Sequence, residues 1–400
     1  MFRDEVDMKS YTLKDACYIT TGKLDANQSI KNGIYPFFTC AEFPDAINTY
    51  AFDCDAVLVA GNNARGNFHV NRYKGKFNAY QRTYVLTSKE NFDIDFIFYS
   101  LKLELKRLKE KSQGSQTKFL TLPILQNIHF SSILINEQKS IAAVLSALDK
   151  KIALNKQINA RLEEMAKTLY DYWFVQFDFP DTNGKPYKSS GGEMVFDETL
   201  KREIPKGWEV KKLKDAMQIV RGASPRPIDD FLSDNGIPWI KISDATATST
   251  PFIFKTKEFI KSNGKQYSRY LYPNTLILSN SATPGIPRIV ELECCVHDGW
   301  LIIENLKNGL FNEFMYFYFL NFKEKIINLG SGSIFKNLKT EYIKELDLII
   351  PNKETLENAK TIFSDVFKKI KNTQKQNHQL TQLRDFLLPM LMNGQVSVTE

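Results

Sequence analysis

The chain has 400 residues, with 53 Lys and Arg against 46 Asp and Glu for a net charge of +7, so two or three domains and a polyanionic partner are favoured. Its five cysteines (Cys17, Cys40, Cys54, Cys294 and Cys295) are odd in number and lack a CxxC pair, which supports neither a disulfide framework nor a zinc site. The opening MFRDEVDMKSYT has no apolar signal stretch, and no segment approaches the roughly 20 apolar residues of a membrane span; the expectation is a cytoplasmic protein with no membrane partner.

Residues 1–137 make the first predicted domain. Short apolar runs (AVLVA at 56–60, TYVLT at 83–87, ILI at 133–135) alternate with turn residues such as Gly61-Asn62-Asn63 and Lys74-Gly75-Lys76. This reads as a mixed α/β domain with a strongly bent sheet. A helix is expected over 95–111, where apolar residues fall at helical spacing and the basic C-terminal end suits the helix dipole.

A long helix is predicted over 138–176. Ile141, Leu145, Leu148, Ile152 and Asn155 are spaced 4, 3, 4 and 3, and after a one-step slip Ile158, Leu162, Met165 and Leu169 continue 4, 3 and 4. Such a heptad seam suits an antiparallel partner helix, and a polar Asn155 on it would fix register. An amphipathic helix lying on a globular core is the competing reading. A polar linker is expected over 177–203, marked by TNGKP and KSSGG.

The pattern then restarts, giving a second domain over 204–352 and a second long helix over 353–400. Leu13-Lys14-Asp15-Ala16, Ile19 and Gly22 match Leu213-Lys214-Asp215-Ala216, Ile219 and Gly222 at an offset of 200. Gly33-Ile34 matches Gly236-Ile237 at 203. Gly114-Ser115 and Lys118 match Gly332-Ser333 and Lys336 at 218, and the helices keep that offset: Ile152 with Ile370, Leu162 with Leu380, Leu169 with Leu387. Phe363 and Val366 extend the second seam. The second copy therefore gains about 15 residues, expected within 246–263. A period this long is a tandem duplication of a domain plus a helix. The copies share a frame and differ in their loops, where function concentrates. Two binding modules that recognise different things are the simplest account.

The order variable domain, helix, variable domain, helix resembles the specificity subunit of type I restriction–modification enzymes. So do WFVQFDFP at 173–180, IPKGW at 204–208 and LLPMLMNGQV at 387–396. The resemblance covers nearly the whole chain. It implies two target-recognition domains, each reading half of a bipartite site in double-stranded DNA, and helices that hold them apart and dock two modification subunits. It implies no catalysis and no cofactor on this chain. S-adenosylmethionine, ATP and Mg belong to the modification subunits and the restriction subunits. The apolar tails FVQFDFP and LLPMLMNGQV are expected to be docking surfaces.

Phosphate contacts need Lys and Arg, and base edges need Arg, Asn, Gln, Ser or Thr. In the first domain these residue types gather at Asn62, Asn63, Arg65, Asn67 and His69, then Arg72, Lys74 and Arg82. In the second they are Arg221, Arg226, Lys241, Arg269, Asn280 and Arg288. Ser115, Lys118, Ser333 and Lys336 recur in both copies and suit phosphate, or a shared turn. His69 has no ligand cluster around it, and no metal site is expected. Two other readings stay open: a coiled-coil interaction scaffold without DNA specificity, and a metal-dependent nuclease built on Asp181, Glu209 and Lys211.

Overall fold

The fold is that of a computed structural model describing residues 10–62, 68–111, 119–131, 133–328 and 339–398. It divides into two compact units. One joins Met1–Ala153 to Asn377–Glu400, and the other is Leu154–Gln376.

The first unit runs β1 (Ser10–Thr12), α1 (Leu13–Ala16), β2 (Cys17–Thr21), β3 (Tyr35–Phe38), β4 (Asp45–Ile47), β5 (Phe52–Ala60), β6 (Val70–Ala79), β7 (Thr83–Ser88), α2 (Ile94–Lys111), α3 (Leu122–Gln126), β8 (His129–Ser131), and then enters α4 (Ile135–Tyr170). One six-stranded sheet has the order β2-β7-β5-β6-β3-β4, and β1 pairs antiparallel with β8. The AVLVA run is buried throughout because both faces of β5 are covered. Ala56 and Leu58 face Phe38, Phe77 and Val85, while Val57 and Val59 face the apolar side of α2. Within β6, Gly75 has a φ of 128°, which suits glycine.

After α4, a wide helical turn over Asp171–Val175 leads to a hairpin of β9 (Met194–Asp197) and β10 (Arg202–Pro205). The second domain then follows β11 (Glu209–Lys212), α5 (Leu213–Ala216), β12 (Gln218–Arg221), β13 (Leu232–Ser233), β14 (Ile237–Ile240), α6 (Ile242–Thr246), β15 (Phe252–Ile253), β16 (Glu258–Ile260), β17 (Arg269–Leu271), β18 (Thr275–Ser279), β19 (Pro287–Val290), β20 (Cys294–Val296), β21 (Trp300–Glu304), α7 (Asn312–Asn328), α8 (Thr340–Lys344), β22 (Asp347–Ile350) and α9 (Lys353–Met392).

Strand register establishes the duplication. Ile19 lies opposite Leu86, Leu86 opposite Val57, and Val57 opposite Arg72. In the second copy Ile219, Ile303, Leu276 and Ile289 repeat that ladder. Leu13 N donates to Ile128 O at 2.9 Å, and Leu213 N to Leu346 O at 3.0 Å. The single strands β5 and β6 correspond to the broken pairs β17–β18 and β19–β20, so the second sheet divides into two five-stranded sheets. The first break holds Pro273, which lacks an N–H, and Asn274 at φ 68°. Residues 39–51, 13 in number, separate β3 from β5, whereas 241–268, 28 in number, separate β14 from β17. The longer connection of the second copy holds α6, β15 and the 3-10 turn Ser262–Tyr267.

The two long helices have 36 and 40 residues. In the first unit Arg384 Nη1 donates to Asp149 Oδ1 at 2.7 Å, and Asn377 Nδ2 to Ile152 O at 3.2 Å. In the second unit Asn155 Nδ2 donates to Gln376 Oε1 at 2.8 Å. One number rises as the other falls, so the helices pair antiparallel. Ile141 and Leu145 are buried in the first domain's core with Leu391 and Met392, and Leu387 lies against it. Phe363 and Ile370 are buried in the second domain's core, with Leu162, Leu169 and Val366 partly covered against it. Ile152 is buried, while Leu148 and Leu380 are half-buried.

Three expectations are corrected. Met165 is 66% exposed, whereas Ala166, Tyr170 and Trp173 are buried. Beyond Leu162 the neighbours include the aromatic face of α7, so a broad amphipathic face replaces a narrow seam. The 177–203 linker is folded. Phe177 and Phe179 are buried, Phe179 stacks on Trp208 at 5.0 Å and on Tyr187 at 4.6 Å, and Ser189 caps Asp178. The apolar tails are largely internal: Phe177, Phe179, Leu391 and Met392 are core residues.

Candidate nucleic-acid interface

Three strand ends and one turn meet at one corner of the second domain. Gly222 N donates to Trp300 O at 2.8 Å, His297 N to Ile240 O at 3.1 Å, and Asn280 N to Gly299 O at 2.9 Å. These bonds tie the ends of β12, β14 and β18 to the turn His297-Asp298-Gly299. Position 222 must be glycine, because a Cβ there would stand 2.3 Å from His297 O.

Asp298 is the centre of this corner. Its Oδ1 accepts Ser224 Oγ–H at 3.1 Å, and its own N–H donates to Ser224 Oγ at 3.2 Å. Arg226 Nη2 donates to Oδ2 at 3.2 Å, and Arg221 Nε to the Asp298 carbonyl at 2.9 Å. His297 Nδ1 accepts the Gly299 N–H at 2.9 Å, so a neutral imidazole carries its proton on Nε2, which lies 3.1 Å from Asp298 Oδ1. Burial lowers the His297 pKa below its ordinary value. Asp298 opposes the shift, while Lys241, Arg226 and Arg221 add to it. For Asp298, burial acts upward but is outweighed by His297, Ser224 and the two arginines, so its carboxyl titrates below the usual range. Lys241 pairs with Glu258 at 2.7 Å beside the Trp239 ring. Asn280 is 95% buried, and its Oδ1 has no partner.

The first domain repeats the frame with other side chains. Gly22 N donates to Thr83 O at 3.3 Å, Tyr80 N to Phe38 O at 2.9 Å, and Gly61 N to Arg82 O at 2.8 Å. Tyr80-Gln81-Arg82 thus takes the place of His297-Asp298-Gly299. Gln81 Nε2 donates to Asp25 Oδ1 at 2.7 Å, and the Arg82 guanidinium lies 5.9 Å from the Phe119 ring. Asn62 forms a β-bridge with Phe119, which brings Asn62 and Arg82 together.

The other candidates scatter. His69 lines a cavity of about 480 Å³ with Phe43, Asn71, Lys102 and Lys106. Lys74 is an exposed side chain 4.0 Å from Asp55, and Arg269 is exposed on β17. Arg72 and Arg288 both have partners within the fold. Arg72 bridges Asp55 and Asp95. Arg288 caps the inserted α6 by donating to Ala245 O at 3.0 Å and Thr248 O at 3.3 Å. Asn63, Arg65, Asn67, Ser115, Lys118, Ser333 and Lys336 lie outside the described residues. His297 and Asp298 were missed, although the string CCVHDGW stands where the first copy has FNAYQRT. The carboxylates of the nuclease reading are used locally: Asp181 caps the turn at Asn183 and Lys185, and Glu209 pairs with Lys211.

This duplicated frame of paired helices and matching strand corners is similar to known proteins. The chain belongs to the type I restriction modification DNA specificity domain family, whose model matches residues 5–164 and 205–382. It is 27% identical over 322 residues to the type I restriction enzyme MjaIX specificity subunit of Methanocaldococcus jannaschii, covering 78% of this chain and 71% of the relative. It is 39% identical over 164 residues to the EcoDI specificity subunit of Escherichia coli, covering 41% of this chain and 35% of that protein. Its fold matches the crystal structure of a type I restriction–modification S subunit from M. genitalium with a TM-score of 0.60 at 16% identity, over 100% of this chain and 99% of the other. No described helix is long and apolar enough to cross a membrane.

Proposed function

We propose that this chain is the non-catalytic DNA-reading subunit of a type I restriction–modification complex, each domain reading one half of a bipartite, asymmetric duplex site. One observation carries this reading: three equivalent backbone hydrogen bonds frame both corners, while the side chains on them differ. Thr21, Gln81, Arg82 and Asn62 stand at one, and Arg221, Asp298, Gly299 and Ser281 at the other. A shared frame with unlike polar heads is what two readers of different half-sites require.

The paired helices are the spacer and the docking surface for two modification subunits. At 1.5 Å per residue they are about 54 and 60 Å long, against about 34 Å for one turn of DNA, so they are long enough to set the distance between half-sites. S-adenosylmethionine, ATP and Mg act on the modification and restriction partners, and the assembly works in the cytoplasm.

Long-read mapping of methylated adenines, in cells carrying this chain with its modification partners, tests the reading. One bipartite motif should appear only when the chain is present. Exchanging residues 204–352 for those of a relative should change one half of it. Absence of any chain-dependent motif would falsify the reading.

A further inference from the structure

We infer that Asp298 is a positioning residue that holds Arg221 and Arg226 against guanine, so that the half-site read by the second domain contains guanine at the position these arginines meet. This rests on the DNA-reading function proposed above and names the base chemistry of one of its two sites.

Both arginine side chains are largely exposed, at 60% and 80%, yet both lean on one residue. An isolated surface arginine samples many rotamers, and an ordinary exposed ion pair does little to restrain it. Asp298 is itself fixed. Ser224 bonds both its carboxylate and its backbone N–H, and His297 Nε2 faces the same carboxylate. The imidazole is locked in turn by the Gly299 N–H. This chain of contacts runs back to the strand ends and anchors the arginines to the rigid part of the domain.

The contact to Asp298 engages one nitrogen of Arg226, and the side chain remains open to solvent. Its outward N–H donors match the two acceptors, O6 and N7, that guanine presents in the major groove. Adenine presents an N6 donor there, which would face guanidinium donors with no acceptor between them. One carboxylate cannot neutralise two guanidinium groups, so the corner keeps a positive field for acceptor edges. Thr21 stands in the first domain where the second has Arg221, and Gln81 where it has Asp298, so among the described residues the first corner does not repeat this arrangement.

The test uses the full chain assembled with its modification partners. Asp298→Asn, Arg221→Lys and Arg226→Lys are each mapped for methylated adenines. Methylation is also measured in vitro on duplexes with 7-deazaguanine at single positions of each half-site. The inference expects Arg226→Lys and Asp298→Asn to relax the motif at guanine in one half only, with discrimination against adenine there falling on the order of tenfold or more. Loss of N7 at that guanine should weaken the wild type more than it weakens Arg226→Lys. Uniform weakening at all sites with the motif unchanged would make these arginines phosphate contacts and overturn the inference. So would an intact guanine preference in all three variants. In both cases a chain-dependent bipartite motif survives, which separates this failure from failure of the proposed function.

Discussion

The guanidinium of Arg72 stands between Asp55 and Asp95, and the side chain is only 19% exposed. Two carboxylates share this cation, and Lys74 lies 4.0 Å from Asp55. Removing the arginine leaves both acids uncompensated at a half-buried site. Arg72→Ala should therefore cost about 1–2 kcal/mol, between the values for exposed and buried pairs, and lower the melting temperature by a few degrees. Thermal unfolding measures the loss, and the mapped methylation motif should stay the same. A changed motif would return Arg72 to the interface. In the sequence Arg72 and Arg226 look alike, each beside Asn, Gly or Pro residues that suggest a loop, and Arg82 follows the polar Gln81. What separates them lies elsewhere in the chain: the partners of Arg72 are 17 and 23 residues away, and Asp298 is 72 residues from Arg226. Composition shows which side chains can bind DNA, but only strand register shows which are already engaged. The same limit hid His297 and Asp298, which matter through the company they keep rather than through any local motif.

At the scale of elements, periodicity was informative where burial has a single direction. The heptad residues Ile141, Leu145, Ile152 and Ile370 are all buried, and the tandem offsets correspond to equivalent strands and helices. Periodicity failed at Met165, where the helix meets a domain core as well as a partner helix, and composition failed at 177–203, where Phe177 and Phe179 outweigh the Gly and Ser around them. The middle of the helix pair is polar: Asn155 bonds Gln376, and Asn377 bonds the Ile152 carbonyl. Polar groups on a seam fix register at some loss of stability. This makes the midpoint the place to lengthen the spacer without disturbing either domain core. One heptad inserted between Leu154 and Asn155, with a matching heptad between Gln376 and Asn377, keeps the seam in phase and adds about 10 Å of helix. The mapped motif should then keep both halves and gain spacer, by up to about three base pairs. An unchanged spacer would mean that the helices do not set the distance.

At the scale of the whole molecule, the two compact units do not follow the linear order of domain, helix, domain, helix. The unit boundaries fall at 153/154 and 376/377, inside the two long helices, so the last stretch of the chain belongs to the same unit as the first domain. A seam pattern shows that one helix face is apolar, but not which core receives it, and this arrangement was therefore not legible in the sequence. Leu391 and Met392 are buried among α2, α4 and the first sheet, and the Ser100 hydroxyl lies 3.5 Å from Met392 Sδ. Leu391→Ala should open a cavity in that core and cost about 2–5 kcal/mol. Because the second unit has its own core, built on Phe314, Phe317 and Phe363, the loss should be local. Hydrogen exchange on the full chain measures it. Amides of β2, β5, β7 and α2 should exchange faster, while those of β12, β18 and β21 keep their protection. Equal loss in both sets would mean that the two units unfold as one, and that closure by the C-terminal helix is a property of the entire chain rather than of its first domain.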